Sequence, residues 1–502
     1  MKNLRNTMKD DNQQTFDELA ETGNLTSLLG ALGGHLDKYL SFDHDDAMKR
    51  ASDWQQELNA ELPEKGVGAE QVIAEIGEVI LPNGSAIPKP GFTSFITTGA
   101  TSVGALATLS GSIAAPQRIG LNAFNYLEQV SLRWMAEMLE LPAEMKGLYS
   151  SGGSVANLVA LGAARQHAFE KIDIDPAQEG VIKPCRVYVS ASCHNTINRA
   201  IAVLGMGRRS VMAIPVDTQG RMRVELLNDA ICLDIQNNIL PVAIVANAGS
   251  TSTGAIDLLR DIGEVASQHN VWFHVDGAYG LPGILDPQTK PYFDGLDLAD
   301  SVIVDPHKWL GAPVGIGATY LRDYSLLYRA FHQGEADYLE GSVYQEGIQH
   351  SMENLGIPYN DFGVELSAPC RGAVVWAMLK EIGVEGMRAR VCRHNAMARL
   401  LAEKANEHHN LEVTQAPFLS ICCFRYIDNN YTDLNELNRQ IHRQLLLNNR
   451  NLPSTALVNG QLSLRPCFVG ARTHWSHVTD LINEVIMIGE QLTQENQRRN
   501  LT

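Results

Sequence analysis

The amino-acid sequence predicts an α/β fold in which a mostly parallel sheet carries helices on both faces. From Gly147 onward, short runs rich in β-branched residues alternate with longer segments of helical periodicity, the pattern of successive strand–helix units. Two of the runs, Trp272–Val275 and Ser301–Val304, stop abruptly at polar residues, as buried parallel strands do. Sheets of this kind bind ligands beyond the carboxyl ends of their strands.

The predicted strands and helices of this part follow one another along the chain. We predict strands at Val187–Ser190, Val211–Ile214, Val242–Ala246, Trp272–Val275, Ser301–Val304 and Gly317–Leu321. We predict helices at Val155–Glu170, Asn195–Leu204, Val224–Leu233 and Leu258–His269. Alternation over this length is what a mostly parallel sheet requires.

The part before this sheet is predicted to be helical. Between Phe16 and Leu62 apolar residues recur at helical spacing, and the proline- and glycine-rich segment 82–91 marks a boundary. Residues 99–115 are small and apolar, which favours close helix packing over a binding role. Glu128–Leu141 is predicted to form one amphipathic helix that ends before a proline.

The chain becomes helical again after the sheet, at Ala377–Leu401, and an α+β segment follows with strands near Phe418–Arg425 and Leu462–Arg465. We therefore predict an N-terminal helical segment at 1–87, a large domain at 88–378 and a small α+β domain at 379–502.

Composition limits the possible partners and compartment. The chain has 502 residues, is 45% hydrophobic and carries a net charge of −17, which argues against nucleic acid or an anionic membrane as partner. The eight cysteines show no C-x-x-C spacing, so neither a zinc site nor a disulfide framework is implied, and no metal is expected. Scattered thiols, no apolar core of signal-peptide length and no run long enough to span a membrane lead us to expect a cytoplasmic protein.

An acid and a lysine follow the two opening strands. Asp276 ends the first strand, and His307 and Lys308 follow the second. This pair suits pyridoxal 5′-phosphate (PLP), because a lysine forms the cofactor's Schiff base and an acid keeps its pyridine nitrogen protonated. Buried Asp–Lys pairs also occur as structural ion pairs, so the pair alone does not decide.

Three further stretches lie at matching strand ends. Gly153 and Ser154, before a predicted helix, can hold a phosphate on free N–H groups, although a plain helix cap has the same pattern. His194 can stack on a flat ring, although a lone histidine there is more often simply a satisfied polar group. Thr251 can bond ring substituents, although a capping turn explains it in part. Ala278 lies two residues after Asp276 and can pack on the opposite ring face.

The chain resembles PLP-dependent amino-acid decarboxylases of the group that includes the aromatic-amino-acid, glutamate, cysteine-sulfinate and diaminobutyrate enzymes. H-V-D-G-A-Y is similar to that family's H-V-D-A-A-Y, and D-P-H-K-W to its N/D-P-H-K-W/M. The resemblance implies the aspartate-aminotransferase-like fold (fold type I), a homodimer with shared active sites, and N-terminal helices that wrap onto the partner. The roles it implies are the Schiff base for Lys308, the pyridine partner for Asp276, the stacking residue for His194, the ring lining for Thr251 and Ala278, and the phosphate ligands for Gly153 and Ser154.

The resemblance also covers a tyrosine and a substrate-reading segment. D-Y-L-E at 337–340 lies where the family's mobile loop carries Y-L-K, which implies that Tyr338 protonates the substrate's α-carbon. As a bare tyrosine in a glycine-rich acidic loop it would more often be a surface residue. Pro116 and Arg118 stand where aromatic-amino-acid enzymes have large rings, which argues against an aromatic substrate. Arg118 either grips a second carboxylate or forms a salt bridge, and the salt bridge is the commoner arrangement.

These observations predict α-decarboxylation of an L-amino acid to a primary amine and CO₂. Another fate of the same carbanion, such as oxidative deamination to an aldehyde or carbon–carbon lyase action, stays open. The rival from a different class is a catalytically silent scaffold homologue, against which the intact set of Lys308, Asp276 and His194 argues, because a buried lysine and acid are costly to keep.

Overall fold

A computed structural model describes residues 25–42, 51–59, 61–116, 118, 122–332, 357 and 359–501. The chain divides into two compact units, Met1–Lys89 and Pro90–Thr502. The first unit contains α1 (Leu25–Leu40), α2 (Ala51–Leu58) and α3 (Ala69–Glu75), and the last of these continues into a π-helical turn at Ile76–Ile80. The predicted helical character of this part is confirmed, while the predicted three-part division of the chain stays a prediction.

The second unit is built around a seven-stranded sheet in the order β2-β8-β7-β6-β5-β3-β4. Its strands are β2 (Lys146–Ser150), β3 (Cys185–Ser190), β4 (Val211–Ile214), β5 (Leu240–Asn247), β6 (Trp272–Asp276), β7 (Ser301–Val304) and β8 (Gly317–Leu321). The five strands from β7 to β4 are parallel, while at one edge β8 pairs antiparallel with β7 and β2 pairs antiparallel with β8. The predicted mostly parallel sheet is confirmed.

The helices of this sheet begin and end where the sequence provides suitable residues. They are α4 (Ser102–Ala114), α5 (Ala123–Met138), α6 (Gly153–Glu170), α7 (Thr196–Val203), α8 (Val224–Gln236), α9 (Leu259–His269) and α10 (Ser325–Phe331). Thr101 caps α4 by accepting the N–H of Gly104, and Asn122 caps α5 by accepting two N–H groups. The cap at Asn122 is why α5 starts earlier than predicted.

Helix α6 packs across the sheet, in contact with β2, β5, β6, β7 and β8. Its sheet-facing residues are mostly small, and Ala156 and Ala160 are fully buried against Ala278 and Ile303. Small side chains let the helix approach the strands closely, so the helix N-terminus lies at the strand ends where the ligand site was predicted.

A second sheet forms the C-terminal part, in the order β1-β11-β12-β10-β9. Its strands are β1 (Phe92–Thr93), β9 (Leu411–Gln415), β10 (Cys423–Tyr426), β11 (Leu452–Val458) and β12 (Gln461–Arg465), and its helices are α11 (Arg371–Glu407), α12 (Leu434–Asn448) and α13 (Trp475–Leu501). The predicted strand at Phe418–Arg425 is shorter than expected, and β1, β2, β9 and β11 were not predicted. Helix α11 is interrupted at Gly383, whose backbone is non-helical (φ 64°).

Two hydrophobic cores result. The first surrounds the seven-stranded sheet, and the second lies among α12, α13, the end of α11 and the small sheet. Within the described parts of the chain, no helix is both long and apolar enough to cross a membrane.

Candidate active site

A cavity of about 250 Å³ lies beyond the carboxyl ends of β3, β5, β6 and β7. The predicted site residues that line it are Gly153, Ser154, His194, Thr251, Asp276, Ala278, His307 and Lys308. Neighbouring parallel strands end at the same edge of a sheet, which is why residues far apart in sequence meet here.

One end of the cavity is the N-terminus of α6. Gly152 has φ 117°, a conformation that favours glycine, and a Cβ on it would lie 3.2 Å from Cε1 of His307. A Cβ on Gly153 would lie 2.6 Å from a carboxylate oxygen of Asp305, so this position also has no room for a side chain. The first N–H groups of a helix have no partner inside it, and with the positive end of the helix dipole they attract an anion.

Asp276 ends β6 with its carboxylate turned toward the cavity. One oxygen, Oδ2, accepts a hydrogen bond from Nδ2 of Asn157 at 3.1 Å, and Oδ1 accepts the backbone N–H of Ala278 at 3.1 Å. The residue is only 7% exposed. Two donors satisfy the carboxylate at a buried position and fix its orientation.

Lys308 follows β7 and has a buried carboxylate beside it. Its Nζ lies 3.0 Å from Oδ2 of Asp305, whose side chain is 1% exposed, while the lysine side chain is 23% exposed. The neighbouring His307 donates from Nδ1 to the carbonyl of Ile316 at 2.7 Å, which fixes the orientation of its ring. The ion pair holds the amine at the cavity wall.

His194 and Thr251 approach from the ends of β3 and β5. Nδ1 of His194 accepts the backbone N–H of Thr196 at 3.3 Å and lies 2.8 Å from the Thr196 hydroxyl, so the ring orientation is fixed. Partial burial, and then the nearby Lys308 charge, lower the pKa of His194 below its ordinary value, which keeps the ring neutral at pH 7. The carbonyl of Thr251 accepts a hydrogen bond from Arg465 of the small sheet.

Several residues that line the cavity were not predicted. Asn157 is one turn into α6, Asp305 precedes the D-P-H-K proline, and Asn247 ends β5. Asp305 is the first residue of the D-P-H-K-W motif, so the sequence already placed an acid three residues before Lys308. Asn157 had no comparable signal, because an asparagine inside a predicted helix gives no indication that it faces Asp276.

Tyr279 also lines the cavity, but its hydroxyl is occupied elsewhere. The ring stacks on Trp309 with centroids 5.3 Å apart, and the hydroxyl lies 2.6 Å from Oγ of Ser420. Burial raises the pKa of this hydroxyl well above its ordinary value. Tyr279 is therefore a wall of the cavity and not an acid–base group at neutral pH.

Of the residues singled out in the sequence analysis, Arg118 does not line the cavity. Tyr338 lies outside the described residues. Arg118 is 4% exposed and donates to Oε1 of Glu128 and to the carbonyl of Tyr149, both at 2.8 Å, while its guanidinium lies 5.9 Å from the ring centre of Tyr359. Of its two alternatives, Arg118 therefore forms the buried salt bridge, and we do not assign it to a substrate carboxylate.

The residues that line the cavity fit PLP. The glycine-lined N-terminus of α6 suits a phosphate, Lys308 supplies a primary amine for the aldehyde, and buried Asp276 suits a protonated ring nitrogen. The closeness of Gly152 and Gly153 to His307 and Asp305 shows that any side chain there would crowd the phosphate end.

Comparison with known proteins decides the family. The pyridoxal-dependent decarboxylase conserved domain matches residues 52–427. The chain belongs to this family. Membership confirms the predicted enzyme class, a PLP-dependent amino-acid decarboxylase, and the predicted cofactor.

Individual relatives span most of the chain. The aromatic-L-amino-acid decarboxylase of Bacillus atrophaeus is 28% identical over 451 residues, covering 87% of this chain and 88% of the relative. The L-2,4-diaminobutyrate decarboxylase of Rhizobium meliloti (strain 1021) is 30% identical over 374 residues, covering 73% and 71%. The crystal structure of Rhodiola rosea 4-hydroxyphenylacetaldehyde synthase has a TM-score of 0.82 at 21% identity and covers 94% of this chain and 98% of that one, which confirms the fold type I architecture.

Proposed function

We propose that this protein removes the α-carboxylate of an L-amino acid as CO₂ and releases the primary amine. The observation that carries the proposal is the convergence of Lys308, Asp276 and the N-terminus of α6 on one cavity. These groups match the aldehyde, the ring nitrogen and the phosphate of PLP. When bound, PLP supplies an acceptor for the electrons of the bond that breaks.

Each lining residue has a proposed role in holding that cofactor. Lys308 is the amine that attaches it as a Schiff base, and Asp305 keeps Nζ in position through the 3.0 Å ion pair. Asp276 would accept a hydrogen bond from the protonated ring nitrogen, because its two existing hydrogen bonds come from neutral donors and leave lone pairs on the carboxylate for a third. His194 and Ala278 would pack on the two faces of the ring, Thr251 would contact its substituents, and Gly153 and Ser154 would hold the phosphate.

The fate of the α-carbon separates the proposal from its main alternative. We assign Tyr338 as the group that delivers a proton to that carbon, so that the amine is the product. The sequence similarity to an aldehyde synthase (26% over 385 residues) favours aldehyde formation as the second candidate, in which oxygen reaches the carbon before a proton does. The assembled cavity argues against a silent scaffold.

We propose that the protein is a homodimer in the cytoplasm. Exposed apolar residues support the dimer: on α4, Leu106 and Ile113 are 59% and 58% exposed, and α1 has no buried residue although Leu25 and Leu36 lie on it. Eight free cysteines fit a reducing compartment. Size-exclusion chromatography with light scattering measures the mass of the protein in solution. A monomer at micromolar concentration contradicts the dimer.

The proposal is tested with a panel of L-amino acids, measuring amine, aldehyde and CO₂ with PLP present. We expect amine and CO₂ in equal amounts, with dihydroxyphenylalanine and tryptophan as poor substrates and small polar amino acids as better ones. Borohydride reduction of the yellow protein followed by peptide mapping should place the cofactor on Lys308. A label on another lysine, or aldehyde as the main product, contradicts the proposal.

A further inference from the structure

A chain of buried hydrogen bonds runs away from Asp276 into the core. Asn157 donates from Nδ2 to Oδ2 of Asp276 at 3.1 Å, and its Oδ1 lies 2.9 Å from Nε2 of His274. Nδ1 of His274 lies 2.8 Å from Oγ of Ser301, which accepts from Nε1 of Trp272 at 2.8 Å. Asn157, His274, Ser301 and Trp272 are between 0% and 3% exposed.

The two ends of the chain fix its direction. An ionised carboxylate can only accept and an indole N–H can only donate, so Asp276 and Trp272 admit one arrangement of the protons between them. Asn157 donates to the carboxylate, and its carbonyl oxygen therefore requires an N–H on Nε2 of His274. Nδ1 of that ring then accepts from the Ser301 hydroxyl, whose oxygen accepts from Trp272. Every donor points toward Asp276.

All the groups behind Asp276 are neutral. Burial lowers the pKa of His274 to about 4, so the imidazole is uncharged at pH 7. A cation at this distance would share the carboxylate's charge with the ring nitrogen of the cofactor. Neutral donors stabilise the carboxylate and orient it without supplying a competing positive charge.

We propose that Asn157 and His274 are positioning residues that hold the Asp276 carboxylate directed at the ring nitrogen of PLP. The inference rests on the proposed role of Asp276. Asn157 makes the direct contact, and His274 holds the Asn157 amide in the orientation that places its N–H, and not its oxygen, against the carboxylate. An amide turned the other way would put its oxygen against a carboxylate oxygen, and the repulsion between two acceptors would turn the carboxylate away from the ring nitrogen.

The test compares two ligands on the apo protein: PLP, and the 1-deaza analogue that has a C–H in place of the ring nitrogen. Dissociation constants are measured from absorbance, without substrate. Asn157→Leu keeps side-chain size but removes the donor, and His274→Phe removes the group that orients it. We expect each to weaken PLP binding roughly 10- to 100-fold, the range for a lost hydrogen bond to a charged group, and to change binding of the deaza analogue by less than about threefold.

Two further variants separate positioning from general damage. In His274→Gln the side-chain N–H can still reach Asn157, so its PLP affinity should lie within about threefold of wild type. Tyr320→Phe removes a buried hydrogen bond of 2.9 Å to the carbonyl of Leu132, away from the site, and should leave both affinities unchanged. If Asn157→Leu fails to fold, the comparison of His274→Phe with His274→Gln still tests the positioning role.

The outcomes distinguish this inference from the proposed function. Asp276→Asn should remove the preference for PLP over its deaza analogue. If it does so while Asn157→Leu and His274→Phe weaken both ligands equally, or neither, the positioning role is wrong and the role of Asp276 stands. If Asp276→Asn leaves the preference for PLP over its deaza analogue intact, the proposed role of Asp276 and the positioning role of Asn157 and His274 are both wrong.

Discussion

Replacing Arg118 should cost stability rather than substrate affinity. Its guanidinium and the Glu128 carboxylate are 5% and 6% exposed and 2.8 Å apart, so Arg118→Met leaves a buried carboxylate without its partner. Removing one member of such a pair costs about 3–5 kcal/mol. For a unit of about 410 residues, an unfolding entropy of about 2.1 cal/mol/K per residue gives a Tm decrease of roughly 3–6 °C.

The assay is thermal unfolding of the apo protein at pH 7, together with KM for the best substrate found. The double variant Arg118→Met with Glu128→Leu is the matched control, because it removes both charges and should recover much of the lost Tm. KM should stay within about twofold in both variants. A Tm change below about 1 °C together with a KM rise of tenfold or more would refute the reasoning and return Arg118 to the substrate site.

Three other perturbations have defined outcomes. Gly152→Ala places an L-residue at φ 117° and a Cβ 3.2 Å from His307, so the apparent Kd for PLP should rise roughly 10-fold or more. Gly180→Ala is the control, since this glycine has φ 79° with nothing within 4 Å of the added Cβ, and it should leave the Kd unchanged. Equal effects of the two variants would contradict the crowding argument. Burial lowers the pKa of His394 to about 3, so its neutral form contributes stability that is complete above pH 6.5 and is lost as the pH falls toward 3. The loss amounts to about 2 kcal/mol by pH 5. His394→Gln should therefore flatten the dependence of Tm on pH between 7.5 and 5, and an unchanged slope would refute this. Tyr338→Phe should retain cofactor and substrate binding, while the product shifts from amine to aldehyde, ammonia and peroxide under air. An oxygen electrode measures the oxygen consumed in this shift. Unchanged amine formation would assign the proton donor elsewhere, with His194 the next candidate.

The sequence was sufficient for the sheet and for the groups at its strand ends. Asp276 and Lys308 follow short apolar runs, and a run that ends at a polar group is visible without knowledge of tertiary contacts. The antiparallel edge strand β2 was missed because its sequence, K-G-L-Y-S, has few β-branched residues, and it is held by pairing with β8.

The supporting contacts of the site depend on packing between distant elements. Asn157 lies in α6 and His274 in β6, and no periodicity of either segment shows that the two side chains meet. Arg118 was left with two alternatives for the same reason. Its partner Glu128 is ten residues further along the chain, and only burial of both side chains distinguishes an internal ion pair from a substrate ligand.

Helix α11 contributes to both hydrophobic cores, which has a consequence for protein engineering. Its earlier residues, including Met387 and Val391, belong to the core of the large sheet, and its later ones, including Met397 and Leu401, belong to the core of the small sheet. A fragment that starts near 379 would therefore carry apolar residues shaped for a surface that it no longer has. A C-terminal fragment that keeps these side chains is therefore expected to aggregate when it is expressed alone.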